Sequence, residues 1–285
     1  MSGILTIAHL TLFEARRRRI ILAAVVCGMA FLVVFATGLY FAYGQLVADE
    51  GPASVQDAVV RGGFVGIAIM LGLYAVNFLV AAASVLLSID TLSGEIGSGV
   101  IQTLVSKPLS RAEVLLGKCL GFWLLVMAYL LMMVGGVVVI VYAVTGVLQP
   151  NLWLAVPLMA LEATVLLTVS IAGGTRLSTI TNGIVAFGFY GLAVIAGVVE
   201  QAGILVGNRA ARDIGTAVSL LAPSDTLWRM AGYYLQPPVL RALGNDGPPI
   251  LWNASTPTTA MVVWSIGFVV VVLWSAVRTF NRRPL

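Results

Sequence analysis

Six apolar segments, each long enough to cross a lipid bilayer, constrain this chain more than any other feature of its sequence. They cover approximately residues 20–43, 63–89, 119–146, 153–174, 181–206 and 258–280. About 20 consecutive apolar residues are enough for a helix to cross the hydrocarbon core. In lipid the backbone groups must be satisfied within the chain, so an α-helix is expected for each segment. The sequence therefore predicts an all-α polytopic membrane protein with one transmembrane domain over residues 1–285.

The composition excludes several other classes of protein. Hydrophobic residues make up 60% of the chain and charged residues 10%, whereas about a quarter of the residues in soluble domains are charged. The net charge of +4 does not predict nucleic-acid binding, because the basic residues lie at the ends of apolar segments. His9 is the only histidine, and Cys27 and Cys119 belong to no metal-binding motif. We therefore expect neither a metal nor a cofactor in this chain.

The distribution of basic residues predicts that both termini lie inside. With that orientation eleven of the sixteen bases are inside, namely Arg16 to Arg19, Lys107, Arg111, Lys118, Arg176, Arg278, Arg282 and Arg283. Residues 44–62 then form a short, acidic outside loop. The four consecutive arginines before an apolar run are similar to a signal peptide, but the run is too long and has no cleavage site, so we expect a retained first span. Residues 3–15 precede it as a mostly apolar helix expected in the membrane interface.

The polar segment of residues 90–118 lies between the second and third spans. Gly94, Gly97 and Gly99 favour a turn, and residues 100–106 then form about two helical turns that end at Pro108. Ser110 and Glu113 fit a capping box at the start of the next helix. The pattern predicts a short helix, a hinge and a new membrane helix.

The residues of this segment resemble the pattern that follows the second span in type-2 ABC-exporter permeases. The resemblance is strongest to the permeases grouped with the copper-maturation transporter of nitrous oxide reductase. It is carried by Glu95, Gly99, Gln102, Leu104, Pro108, Arg111, Gly117 and Lys118.

The resemblance implies a division of labour between subunits. A cytoplasmic coupling helix between spans 2 and 3 would dock on a separate ABC ATPase subunit, through Glu95, Gly97, Gly99, Gln102, Leu104, Pro108, Arg111 and Lys118. That ATPase would bind ATP and Mg²⁺, since this chain has no P-loop: Ala112 stands where its first glycine should be.

The resemblance also implies partners and a cellular location for the chain. It implies a second permease copy or a paralogue, an elbow helix over residues 3–15, a place in the plasma membrane and room for an extracytoplasmic accessory protein. The cargo of such permeases ranges over lipids, peptides, drugs and sulfur or copper-related species, and some members transmit motion without moving cargo.

Polar residues inside the spans are candidate functional sites. Asn77, Ala81, Ser84 and Ser88 form a small, polar stripe on one face of the second span. This stripe suits close helix packing, and a path lining is the alternative. Glu162 lies near the middle of the fourth span, where an ionisable group costs roughly 2.5–3.5 kcal/mol. We therefore expect Glu162 in the protein interior, near a dimer interface or pathway, either functional or merely paired.

Residues 207–258 form the longest loop, predicted to be an extracytoplasmic folded cap. The apolar spacing in Ser224 to Leu235 predicts an amphipathic helix. We expect that helix to lie nearly parallel to the membrane, and a re-entrant hairpin is the alternative.

Two other functional classes compete with a permease. An ion-coupled secondary transporter predicts inverted repeats and interrupted helices around midplane charges, but the sequence has one midplane carboxylate and no obvious repeat. A membrane enzyme needs a cluster of reactive side chains at a membrane surface, and the acids here are scattered.

Overall fold

A computed structural model describes residues 3–15, 19–48, 55–89, 110–149, 151–236 and 258–282. Within these ranges the regular structure is entirely α-helical and comprises nine helices. They are α1 (Gly3–Ala15), α2 (Arg19–Ala48), α3 (Val55–Ser88), α4 (Arg111–Thr145), α5 (Leu152–Gly174), α6 (Thr179–Val206), α7 (Arg209–Leu221), α8 (Ser224–Leu235) and α9 (Thr259–Arg282).

Six of these helices are long and apolar enough to cross a membrane, as the sequence predicts: α2, α3, α4, α5, α6 and α9. Three helix ends extend five or more residues beyond the predicted spans. Helix α2 ends at Ala48, α3 starts at Val55, and α4 starts at Arg111, where the capping box predicts a helix start. The predicted loop of residues 44–62 is thus helical through Ala48 and again from Val55. A helix continues past the apolar run wherever its backbone bonds and its cap are satisfied.

The early start of α4 follows from its cap. The Ser110 hydroxyl accepts a hydrogen bond from the Glu113 amide, and the Glu113 carboxylate accepts one from the Ser110 amide at 2.8 Å. The predicted capping box is therefore confirmed. The helix ends at Gly146, whose φ of 69° is a left-handed conformation that favours glycine.

Helices α3, α4 and α5 form the centre of the bundle. Leu73, Leu130, Met133, Met159 and Leu167 are among the largest fully buried side chains, and all five come from these helices. Helices α2 and α9 contribute few buried residues and lie at the periphery. The bundle therefore presents the apolar faces of its outer helices to the surroundings.

Helix α1 packs along the first turns of α4. A Cβ atom at Gly117 would lie 2.6 Å from the Ile7 Cβ atom, and one at Gly121 would lie 2.8 Å from the Thr11 Cβ atom. The two glycines thus allow the backbones to approach closely. The helix predicted over residues 3–15 is present, and its role as an elbow stays a prediction.

Several helix ends meet at one end of the bundle, here called the arginine end because Arg176, Arg278 and Arg282 lie there. The Asn182 amide donates to the Ile89 carbonyl at 3.2 Å, which joins the start of α6 to the end of α3. Arg176, in the turn between α5 and α6, donates to the Thr279 hydroxyl at 2.8 Å near the end of α9. We call the opposite end of the bundle the far end.

Helices α7 and α8 form a hairpin at the far end. Helix α7 doubles back along α6, and Gly203 and Gly215 allow the close approach. Helix α8 then returns along α5, so that the Gln149 amide before α5 donates to the carbonyl of Leu235.

The helix predicted at Ser224 to Leu235 has the observed bounds, and its orientation relative to the membrane stays a prediction. Its apolar face packs against α3 and α5. This packing fits the hairpin alternative.

Candidate functional site

Glu162 on α5 is buried in the protein interior, with 2% of its surface exposed. The Asn77 side-chain amide on α3 donates to Glu162 Oε1 at 3.1 Å. Glu162 Oε2 accepts no hydrogen bond from the part of the chain that the structure describes. The interior position agrees with the expectation from the cost of a carboxyl group in lipid. One oxygen of this carboxyl group thus remains available to a proton or a polar ligand.

The polar stripe on α3 is buried inside the bundle. Ser84 is fully buried, and its hydroxyl donates to the Val80 carbonyl within the same helix at 2.7 Å. The Ser88 hydroxyl likewise donates to the Ser84 carbonyl. On the facing helix, Ser170 donates to the Val85 carbonyl at 3.4 Å. These contacts match the predicted close helix packing, and a path lining for Ser84 stays a prediction.

Three charged side chains meet where the hairpin packs on α6, and we call them the hairpin cluster: Glu200, Asp225 and Arg229. Arg229 lies 2.8 Å from Glu200 Oε2 and 2.9 Å from Asp225 Oδ2. Their side chains are 13%, 11% and 6% exposed in the order Glu200, Asp225, Arg229. With all three ionised, two acids and one base sum to a net charge of −1. The cluster therefore holds more negative charge than its arginine neutralises.

Hydroxyl groups complete the hairpin cluster. Arg229 donates to the Ser219 hydroxyl at 3.4 Å and to the Thr226 hydroxyl at 3.3 Å. The Thr216 hydroxyl donates to Glu200 Oε1 at 3.1 Å. Buried charges need such partners, since an unpaired one is strongly destabilising. The contacts tie α7 and α8 to each other and to α6.

The Asp225 carboxylate lies directly on the backbone of α6. A Cβ atom at Gly197 would come within 1.8 Å of Asp225 Oδ2, so only glycine leaves room for it there. Burial raises the pKa of the Asp225 carboxyl group to about 6, against the attraction of Arg229, which lowers it. A raised pKa is expected for an acid that has lost water and that also lies near Glu200. Asp225 therefore changes charge not far below neutral pH.

Aromatic side chains connect the hairpin with the centre of the bundle. The Trp228 ring on α8 packs edge-on against Tyr74 on α3, with 5.5 Å between ring centroids. Tyr74 lies three residues before Asn77, on the same side of α3. We call the Glu162–Asn77 pair, this aromatic contact and the hairpin cluster together the polar region.

The predicted coupling residues fall into two groups. Arg111 is half-buried at the first position of α4, and Lys118 is 5% exposed two turns later. The remaining predicted coupling residues lie outside the described ranges: Glu95, Gly97, Gly99, Gln102, Leu104 and Pro108. Their docking role stays a prediction.

The sequence reasoning missed the hairpin cluster. Asp225 and Arg229 are four residues apart on a helix with apolar neighbours, which was the available signal. Glu200 near the end of a span was the other one. The sequence does not show that Arg229 contacts Glu200, because this contact forms only when α7 and α8 fold back onto α6.

The arrangement does not offer the ligands of a metal site. Among the described residues no three His, Cys, Asp or Glu side chains converge as metal ligands would. The chemistry available to the polar region is therefore proton binding, hydrogen bonding and ion pairing.

One comparison with known proteins places the chain. The family model described as "ABC-2 family transporter protein" matches residues 5–285. No curated protein matches the chain.

Proposed function

We propose that this chain, which belongs to the ABC-2 family of transporter proteins, couples ATP hydrolysis by a separate ATPase subunit to export or to conformational work outside the membrane. Family membership supports an ABC permease subunit, and it implies an ATPase partner and usually a dimer. ATP and Mg²⁺ would then be bound by the partner. The nitrous-oxide-reductase grouping, an accessory protein and a plasma-membrane location are further parts of the proposal.

The structural observation that supports conformational work is the hairpin packed against α5 and α6. Asp225 contacts Gly197, which lies nine residues before the end of α6 at Val206. At 1.5 Å per residue this places the tip of the hairpin about 13 Å along α6 from its far end. The hydrocarbon core is about 30 Å thick, so we propose that the hairpin is re-entrant.

The burial of the hairpin tip supports re-entry. Ala222, between the two helices, is 4% exposed, and Pro223 is also buried. Irregular backbone at membrane depth is tolerated where protein surrounds it. The tip lies beside the polar region that contains Glu162, so the hairpin would close that region towards the far end.

The hairpin cluster would specify the closed position of the hairpin. Buried ion pairs add little net stability compared with apolar packing, because desolvation opposes the Coulomb attraction. They do, however, specify one position of the hairpin. We therefore propose that ATP-driven motion of the spans shifts the hairpin and opens the polar region.

The orientation of the chain supports docking of the ATPase at the arginine end. Ile89 precedes residues 90–109, and its carbonyl is bonded to Asn182 at that end. Positive residues concentrate on the cytoplasmic side of membrane proteins. We therefore place the arginine end and both termini in the cytoplasm, where an ATPase has access to the coupling segment.

The coupling test compares Glu95→Ala and Arg111→Ala with Asp213→Ala, a variant of an exposed residue on α7. The first two are expected to lose ATPase stimulation or copurification of the partner while the chain still inserts. The third should behave like the wild type. Full coupling in both coupling-segment variants would remove the proposal.

The re-entry test uses single cysteines at Asn208 and Leu221, after replacement of Cys27 and Cys119. Both positions are exposed in the structure, and the Leu221 side chain is 72% exposed. A difference in labelling between them would therefore come from lipid that covers one position, and not from burial in the protein. An impermeant thiol reagent applied to intact cells should label position 208 and spare position 221. Equal labelling of the two positions would place the whole hairpin in water. If the reagent labelled neither position but labelled Ser98→Cys, the topology would be inverted.

One observation favours a second candidate, the ion-coupled secondary transporter. The free oxygen of Glu162 is a proton-binding group buried between spans. Transport that survives loss of the ATPase and stops when the ion gradient is dissipated would favour this alternative.

A further inference from the structure

A basic pocket lies at the arginine end, between the turn joining α5 to α6 and the last turns of α9. Its volume is about 510 Å³, and it is lined by Thr175, Arg176, Arg278, Thr279 and Arg282. These residues include three guanidinium groups and no acid. No ion pair joins any of the three arginines to a carboxylate of the described chain. The pocket therefore concentrates positive charge that an anion would neutralise.

Two of the arginines are held in place. Arg176 donates to the Thr279 hydroxyl at 2.8 Å, which directs its side chain across to α9. The Arg278 guanidinium lies 5.2 Å from the centroid of the Trp274 ring. Arginine presents a planar fork of donors that matches the geometry of a phosphate group. Preorganised guanidinium groups lose less freedom when such a ligand binds.

The surface next to the pocket is apolar. Trp274 is 60% exposed, and Val270 and Val271, one turn further into α9, are 60% and 63% exposed. Tryptophan is enriched at the level of the lipid headgroups, where its apolar ring faces inward and its N–H faces water. We therefore expect the pocket at the headgroup level of the leaflet at the arginine end, with room for acyl chains along α9.

We propose that this pocket binds the phosphate group of an anionic phospholipid, whose acyl chains pack on the exposed face of α9. Basic pockets between membrane helices on the cytoplasmic side are suited to anionic headgroups. A site at this point would connect α9 with the turn between α5 and α6 through the lipid phosphate. This inference goes beyond the proposed function, because lipid binding requires neither the ATPase nor transport.

The test measures lipids retained by the purified full-length chain in detergent micelles, by native mass spectrometry. Phosphatidylglycerol is the anionic probe and phosphatidylcholine the zwitterionic one. We expect preferential retention of phosphatidylglycerol. In the Arg176→Gln/Arg278→Gln variant its affinity should fall about twenty-five-fold, from a contribution of about fivefold for each base near a membrane surface.

Matched variants distinguish loss of the binding site from a general loss of positive charge and from misfolding. Arg209→Gln removes an exposed base on α7 at the far end and should leave retention unchanged. Arg176→Lys/Arg278→Lys keeps the charge and should retain more lipid than the glutamine pair. Unchanged retention in the folded glutamine variant, or equal retention of phosphatidylcholine by the wild type, would overturn the proposal. Displacement of phosphatidylglycerol by millimolar inorganic phosphate would assign the pocket to free phosphate and also overturn the lipid assignment.

Discussion

Replacement of Arg229 by methionine tests the role of the hairpin cluster most directly. Methionine keeps much of the length of the side chain and removes its charge and its donors. Asp225 and Glu200, which lie 2.9 Å and 2.8 Å from the arginine, would then lose this partner while remaining buried. The change isolates the electrostatic part of the contact between the hairpin and α6.

The expected cost is large because the three side chains are at most 13% exposed and are weakly screened by solvent. Removal of one partner from a buried ion pair typically costs about 3–5 kcal/mol, since an uncompensated charge remains inside. Asp225→Asn should cost much less. It leaves the Glu200–Arg229 pair intact and changes the net charge of the cluster from −1 to zero.

The assay is unfolding of the full-length chain by sodium dodecyl sulfate in mixed micelles, followed by the loss of helical circular dichroism. Arg212→Met, at an exposed position on α7, is the matched control. The variant Glu200→Gln/Asp225→Asn/Arg229→Met contains no unpaired charge and should recover most of the lost stability. Surface substitutions typically change the free energy of unfolding by at most about 0.5 kcal/mol. If the free energies of unfolding of Arg229→Met and of the control differ by no more than this, the reasoning about the cluster is refuted.

Three further predictions concern the same polar region. Gly197→Ala places a Cβ atom within 1.8 Å of Asp225 Oδ2 and should lower the free energy of unfolding. Gly191→Ala adds a Cβ atom that contacts none of the described residues and should not lower it, so equal effects would contradict the packing. Glu162→Leu leaves the buried Asn77 amide without its acceptor and should cost about 1–3 kcal/mol in the same assay, while Glu162→Gln keeps an acceptor and should cost less. The folded-state pKa of Asp225, about 6, lies above its ordinary value of 3.8, so the stability that Asp225 contributes is complete below pH 3.8 and is lost as the pH rises through 6. The wild type should therefore lose stability relative to Asp225→Asn between roughly pH 4 and 6, and a constant difference over that range would contradict the shift.

Local sequence determined the helices. The six spans follow from the lengths of the apolar runs, since any helix of about 20 apolar residues crosses the core whatever its neighbours are. Two other features are local as well. The capping box joins Ser110 and Glu113, and the bounds of α8 depend on residues within a few helical turns of one another. The start of α4 at Arg111 is local too, because the capping box that precedes the apolar run marks it.

Tertiary structure alone decided the candidate site. The burial of Glu162 follows from its cost in lipid, but its bond to Asn77 joins residues 85 positions apart. The packing partner of α8 also depends on distant residues. An amphipathic pattern shows that one face needs an apolar partner, and it does not distinguish a lipid surface from the groove beside α5. Helix α8 packs in the groove because Gly197, Gly203 and Gly215 allow the hairpin to approach α6 closely. At this distance Arg229 contacts both acids. Such a choice depends on shapes that several helices create together, and no single segment of the sequence contains them.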